Sequence, residues 1–393
     1  MLRCPIVENV TDGDSPPLPR DEVHHLMRPG SPQQWSPIRG TKRRSSGPNW
    51  PWRHWSHRRK MRFARTVAIG LVLLILLIIT VSRCGSDTTI TTATTTTKKE
   101  KATTTVKPVV VTAGALPKRM PSGTWDGAAT VANGQVILFG GLNTLKQSTV
   151  KVWQIDPATG STQNIAKLAA PRHQSAAAAL GNTAFTFGGN TKPGVLDSID
   201  SVTVGDNVVT TLGKLPGPRS EGAAITDPAG PTIYIAGGWN GTDPTNDVLS
   251  SVDGVTFQTR ATLTEPVRSP AVAAQGDDLW VFGGQWKDVP TGSIQRVNLA
   301  TGKAEVVAKL PQPLTGAMAF TIGDTVYLAG GRTAAGRSNE VRRFDPTTFT
   351  FTTVATLPVA LSDSGVAVLG NVAYLVGGLT PAPSNQTFTV TVS

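Results

Sequence analysis

From residue 106 to the C-terminus, short apolar runs alternate with polar turns in a fixed cycle. Each cycle opens on Leu-Pro or a near variant: Leu116-Pro117, Leu215-Pro216, Leu310-Pro311 and Leu357-Pro358, with Leu168 and Leu263 as variants. A run of small residues follows, such as Ser175-Ala-Ala-Ala-Ala-Leu180 or Ala271-Val-Ala-Ala274. A turn leads into a bulky run closed by two glycines: VILFGG, AFTFGG, IYIAGG, LWVFGG, VYLAGG and AYLVGG. After a variable loop comes an alternating run ending in Asp or Asn, such as Val152-Trp-Gln-Ile-Asp156 or Val341-Arg-Arg-Phe-Asp345. A turn (Pro157-Ala-Thr-Gly160, Ala300-Thr-Gly302, Asp253-Gly254) then gives a fourth, short run. Alternation between turn residues is the signature of hairpin-linked strands, so each cycle predicts four strands.

The double glycines are Gly140-Gly141, Gly188-Gly189, Gly237-Gly238, Gly283-Gly284, Gly330-Gly331 and Gly377-Gly378. Their separations of 48, 49, 46, 47 and 47 residues define six repeats of a four-stranded unit, the pattern of an all-β, six-bladed propeller. Small residues suit the strand nearest the crowded axis, and the glycines suit a strand end that a neighbouring backbone approaches closely. The twelve glycines are therefore read as structural. The chain stops at Thr387-Phe-Thr-Val-Thr-Val392, the third strand of the sixth unit. Residues 108–112 (Pro-Val-Val-Val-Thr) stand where every other repeat has its fourth, so an N-terminal strand is expected to close the last blade and remove an open edge.

Hydrophobic-Gly-Gly, a loop, an Asp-Pro turn (Asp156-Pro157, Asp345-Pro346) and then Leu-Pro resemble the kelch repeat across residues 106–393. The arginines in Pro171-Arg172 and Pro218-Arg219 also match that pattern. Kelch propellers usually carry a tryptophan on the last strand of each blade. Here Phe257 and Phe351 occupy such places, which makes the repeats divergent.

Upstream, the pattern changes three times. Residues 1–62 show no sustained period and are rich in Pro, Ser, Arg and Trp, a composition expected to stay disordered as a cytoplasmic tail. Residues 63–83 contain Thr66–Ser82, 17 residues without a charge, expected to be a membrane-spanning signal anchor. Arg58, Arg59, Lys60, Arg62 and Arg65 precede this segment and only Arg83 follows closely, so the N-terminus is expected in the cytoplasm and the propeller outside the cell. A 65-residue leader without a small-x-small cleavage site argues against a cleaved signal peptide. Residues 84–105, with eleven threonines between 88 and 105, read as a stalk or linker.

Charge follows the same division. The net +11 is concentrated in residues 1–65, with 13 Lys/Arg against 5 Asp/Glu, leaving 24 against 21 for the rest. The near-neutral propeller segment argues against nucleic-acid binding. Membrane lipid is the expected partner of the apolar segment and of the basic cluster with Trp50, Trp52 and Trp55. The only cysteines, Cys4 and Cys84, lie outside the repeats, so no disulfide framework and no Cys-based metal site is expected there.

In this blade order, the loops leading into the first strand and those following the glycines open on one rim. The first set carries Arg119, Arg172, His173, Arg219, Glu221 and Arg268. The second carries Asn143, Asn190, Lys192, Trp239, Asn240, Gln285, Trp286 and Arg332. Arginine forks carboxylates and indole stacks on sugar rings, so the rim is expected to bind a glycan, an envelope polymer or a protein. No catalytic set, metal or cofactor is expected. A copper-radical site needs Cys, Tyr and His, but His173 is the only histidine of the repeats and the tyrosines fall within pre-glycine strands. Zinc likewise lacks ligands. Ser251-Val-Asp253-Gly254 resembles a sialidase Asp box but occurs once and is a residue short. Glu221 and Asp363 fall in the third and sixth repeats, too far around the ring to pair as glycosidase carboxylates. The alternatives are a sugar-active enzyme of the sialic-acid-mutarotase type, suggested by fold alone, and a receptor signalling through the basic tail.

Overall fold

The structure is a computed structural model and describes residues 109–393. The expected tail, membrane segment and stalk, together with the first residues assigned to the propeller, lie outside the described residues. Among the described residues the regular elements are all β-strands, and no helix there is long and apolar enough to cross a membrane.

Six four-stranded antiparallel sheets form the six blades. In the first, chain order runs outward from the axis: Ala128–Ala132, Gln135–Phe139, Thr149–Ile155, Thr162–Arg172. The other innermost strands are Ala176–Leu180, Ala223–Thr226, Ala271–Gln275, Met318–Ile322 and Gly365–Leu369. The sixth sheet takes its outer strand from the other end of the chain, where Val111–Ala115 pairs antiparallel with Thr387–Val392. The closing strand sits three residues later than 108–112. Val111 and Ala113 pack into the core between the fifth and sixth blades, which fixes that register. Backbone bonding extends it from Val110 on Ser393 to Leu116 on Thr387, each 2.9 Å.

The bulky runs do not alternate because both faces of every sheet are covered. Six apolar clusters correspond to the six blade interfaces, each drawing side chains from two neighbours. Val136, Ile137, Leu138 and Phe139 are all fully buried, Val136 and Leu138 facing the sixth blade and Ile137 and Phe139 the second. The phenylalanines in place of the kelch tryptophans work across interfaces too. Phe257 meets Phe187 edge-on at 5.3 Å, and Phe351 lies 5.7 Å from Phe282.

The double glycines are explained by one contact repeated six times. The N–H of each second glycine donates to a carbonyl at the start of the next blade: Gly141 to Arg172 (2.9 Å), and Gly189, Gly238, Gly284, Gly331 and Gly378 to Arg219, Val267, Leu314, Leu361 and Thr124 (2.8 Å each). A Cβ on the first glycine would land on that same carbonyl oxygen; the loosest case, Gly237 against Val267, leaves only 2.5 Å. Gly378 to Thr124 closes the ring between the last blade and the first.

Candidate binding site at the channel mouth

Three consecutive residues lead into each innermost strand: Thr124-Trp125-Asp126, Arg172-His173-Gln174, Arg219-Ser220-Glu221, Val267-Arg268-Ser269, Leu314-Thr315-Gly316 and Leu361-Ser362-Asp363. The first supplies the carbonyl for the preceding blade's glycine. The second forms an isolated bridge with the residue after its own blade's glycines: Trp125 with Leu142, His173 with Asn190, Ser220 with Trp239, Arg268 with Gln285, Thr315 with Arg332, Ser362 with Leu379. The third stands at the mouth of the central channel, and all six third residues are left-handed, with φ between 49° and 62°.

These six form a collar. The N–H groups of Gln174, Glu221 and Ser269 each donate to the carbonyl of the collar residue one blade back, at 2.7, 2.8 and 2.7 Å. Asp363 donates to Gly316 at 2.9 Å and Asp126 to Asp363 at 3.0 Å. Holding a non-glycine residue in this region costs on the order of 1 kcal/mol, so the collar concentrates backbone strain at one place.

The collar side chains surround a cavity of about 180 Å³, with Trp125, Arg268, Gln285, Asp288, Thr315 and Arg332 completing its wall. The cavity shares Asp126, Gln174, Glu221, Ser269 and Asp363 with the central channel, about 700 Å³ between the six innermost strands. Two channel hydroxyls are already engaged: Thr226 donates to the Ala179 carbonyl at 2.8 Å and Thr321 to that of Ala274 at 2.5 Å. Below the collar, the lining is mostly Ala, Val and Gly with Met318 and Phe320.

Carboxylates dominate the electrostatics of the mouth. Glu221 Oε2 accepts from Ser269 Oγ at 2.5 Å and lies 3.3 Å from Arg268 Nε, while Arg268 also reaches Asp288 at 3.2 Å. Asp363 accepts from the Ser362 hydroxyl at 2.6 Å and lies 3.8 Å from Arg332. Desolvation, followed by the charges of Asp363 and Glu221, pushes the Asp126 carboxyl well above the usual carboxylate range, and desolvation raises Asp363 as well. Glu221 and Asp363 stand on the third and sixth blades, and the charge of each helps to raise the Asp126 carboxyl.

The other rim residues divide sharply. Arg172 is 1% exposed and Arg219 6%, and neither lines the mouth cavity. Arg172 donates to the Gly188 carbonyl at 2.9 Å and to Asp200 at 2.5 Å, and Arg219 pairs with Asp247 at 2.5 Å. His173 is half-buried with Nδ1 2.9 Å from the Ser148 hydroxyl, and burial lowers its pKa. The Trp239 ring is covered by the Arg268 guanidinium at 5.1 Å, so the stacking surface expected there is occupied. Asn240 turns its side-chain oxygen onto the N–H groups of Thr242 and Asp243. Arg119 is exposed but does not line the mouth. Trp286 remains 44% exposed on a short hairpin with Val289. Glu221, Arg268, Gln285 and Arg332 are the expected residues that the mouth brings together.

Asp126, Gln174 and Ser269 were missed. Superimposing the repeats places them in the column of Glu221 and Asp363, immediately before the small-residue strand, at separations of 47 or 48 residues.

The Kelch motif family model matches residues 313–358, the stretch that forms the fifth blade and the loop leading into it. No curated protein matches the chain. Among solved structures, one described as "Structure of YjhT" superposes with a TM-score of 0.59 at 15% identity, covering 71% of this chain and 100% of its own. At that identity the likeness shows the architecture and nothing about the ligand.

Proposed function

We propose that this six-bladed propeller, which matches the Kelch motif over residues 313–358, is a binding module that captures an extracellular glycan or envelope polymer at the collar, displayed on a single-pass anchor. One observation carries the reading: five strained non-glycine positions in a six-membered collar turn acids, an amide and a hydroxyl into a cavity at the channel mouth. Strained backbone persists where the surrounding structure over-determines it, and it clusters at ligand sites. Carboxylates and amides, with arginine between them, form the donor–acceptor mixture that hydroxyl-rich ligands need.

Topology favours display. Val111, where the closing strand begins, pairs with Val392 at the end of the sixth blade remote from the collar, while Ala115 leads toward it. A tether joined there leaves the mouth free. The anchor itself rests on residues 63–83 and the basic residues before them.

Screening the full-length protein in detergent against glycans and envelope extracts tests the binding role. Specific hits are expected, weakened tenfold or more in Glu221→Gln and Gln174→Ala, with Arg119→Ala as an unaffected control. An absence of hits, or hits indifferent to the collar, would count against it.

The grouping of three carboxylates favours one second reading, a sugar-active enzyme. Asp126, with its ionisation suppressed by burial and by the carboxylates of Asp363 and Glu221, fits a general acid with other carboxylates beside it. The excess of carboxylates at the mouth makes an acidic sugar a poor substrate for it. Ring-opening rates of neutral reducing sugars, followed by NMR, should rise with the protein and fall in Asp126→Asn if this reading holds.

A further inference from the structure

We infer that the mouth selects a protonated amine, and that its ligand is a glycan bearing free amino sugars in preference to N-acetylated or acidic ones. This rests on the glycan reading above and deepens it.

The first argument is charge balance. Asp126, Glu221, Asp288 and Asp363 line the mouth, against Arg268 and Arg332. Those two arginines do not offset all four acids. Arg268 lies between Glu221 and Asp288 and spreads its planar face over Trp239, with Nε also 3.2 Å from Gln285 Oε1. Its donors and its π-face are committed, which leaves little to offer an anionic ligand. Arg332 faces Asp363.

The second argument is a carboxylate left without a counterion. Asp126 lines both the mouth cavity and the channel beneath it. Among the described residues no cation lies within the 4.0 Å ion-pair distance of it. Gln174 bonds to it, Arg332 reaches it only as a more distant charge, and two like charges face it from Glu221 and Asp363. A carboxylate in this position is unstable as an anion, and its need is met by a ligand cation entering the cavity. An ammonium group brings a charge and three donors to a cavity lined by Asp126, Glu221 and Asp363, whereas an N-acetyl group brings no charge and extra bulk into about 180 Å³. The collar acids would hold the amine.

The third argument is that the presence of three acids around the ring is not forced by the fold. The collar backbone accepts Gln, Ser or Gly at the same φ. Three acids are therefore not a structural requirement of the turn.

The test is calorimetric titration of the full-length protein in detergent at pH 6, with a glucosamine tetramer and with its fully N-acetylated counterpart. The free-amine tetramer is expected to bind at least tenfold more tightly, with an advantage that shrinks as salt rises. Asp126→Asn and Asp363→Asn should each erase most of that advantage while leaving the weak binding of the acetylated tetramer in place. Arg332→Ala, which removes a competing cation, should tighten amine binding, a change that mere loss of structure would not produce. Equal affinity, or preference for the acetylated tetramer, overturns the amine inference while the glycan reading stands. Binding of neither tetramer overturns the inference, and the envelope-extract screen then decides the glycan reading separately.

Discussion

Five of the six collar positions hold a residue with a side chain at φ near 50°, and Gly316 takes the sixth because Asp363 leans over it where a Cβ would sit. The arrangement carries two separable costs: backbone strain shared round the ring and like charge gathered at Asp126. The second can be measured. A carboxyl whose folded pKa is raised penalises the folded state when ionised, so its contribution to stability is most favourable below about pH 3.8 and declines as pH rises. Asp126→Asn should therefore raise the melting temperature at pH 7 and leave it unchanged near pH 3.5. An equal shift at both pH values would show that the charge is not its source. The glycines obey a harder rule. Gly237→Ala sets a methyl 2.5 Å from the Val267 oxygen on a left-handed residue and should cost about 3 kcal/mol or more in denaturant titration. The glycine pairs are legible in the sequence because only one residue type survives such a contact. The collar is not, because Asp, Gln, Glu, Ser and Gly all satisfy its backbone and leave no shared letter to notice.

Among the elements, the closing strand and the two buried ion pairs show where strand counting succeeds and where it stops. A missing fourth strand in the last repeat and a spare one before the first point to a single solution, and Val111–Ala115 fills that place. Deleting residues 106–113 removes the start of this strand and its packing against the sixth blade. The melting temperature should fall sharply and aggregation rise as the Thr387–Val392 edge opens; a deletion without thermal effect would refute closure. Spacing places Arg172 and Arg219 in loops; Arg219 lies in one, Arg172 ends the outer strand Thr162–Arg172, and spacing does not say which way either side chain turns. Asp200, flanked by Ile199 and Val202 in the third strand Ser198–Thr203 and fully buried there, was the available signal, since a buried carboxylate needs a partner. Arg172→Ala strands that acid and should cost about 3–5 kcal/mol. An Arg172→Met, Asp200→Leu double variant should recover much of the loss.

For the whole molecule, ring closure and the point where the chain joins it combine into one device. Six interfaces of the same construction hold a channel at fixed width, one end bears the acidic collar, and the closing strand begins at Val111 at the other. Hydrogen exchange of the full-length protein, with and without its strongest glycan ligand, tests the central claim most directly. The account predicts slowed exchange confined to the six lead-in segments around residues 124–127, 172–175, 219–222, 267–270, 314–317 and 361–364, with the outer strands unchanged. Protection centred on the outer strands or on the turns at the opposite face, with the collar amides unaffected, would contradict it.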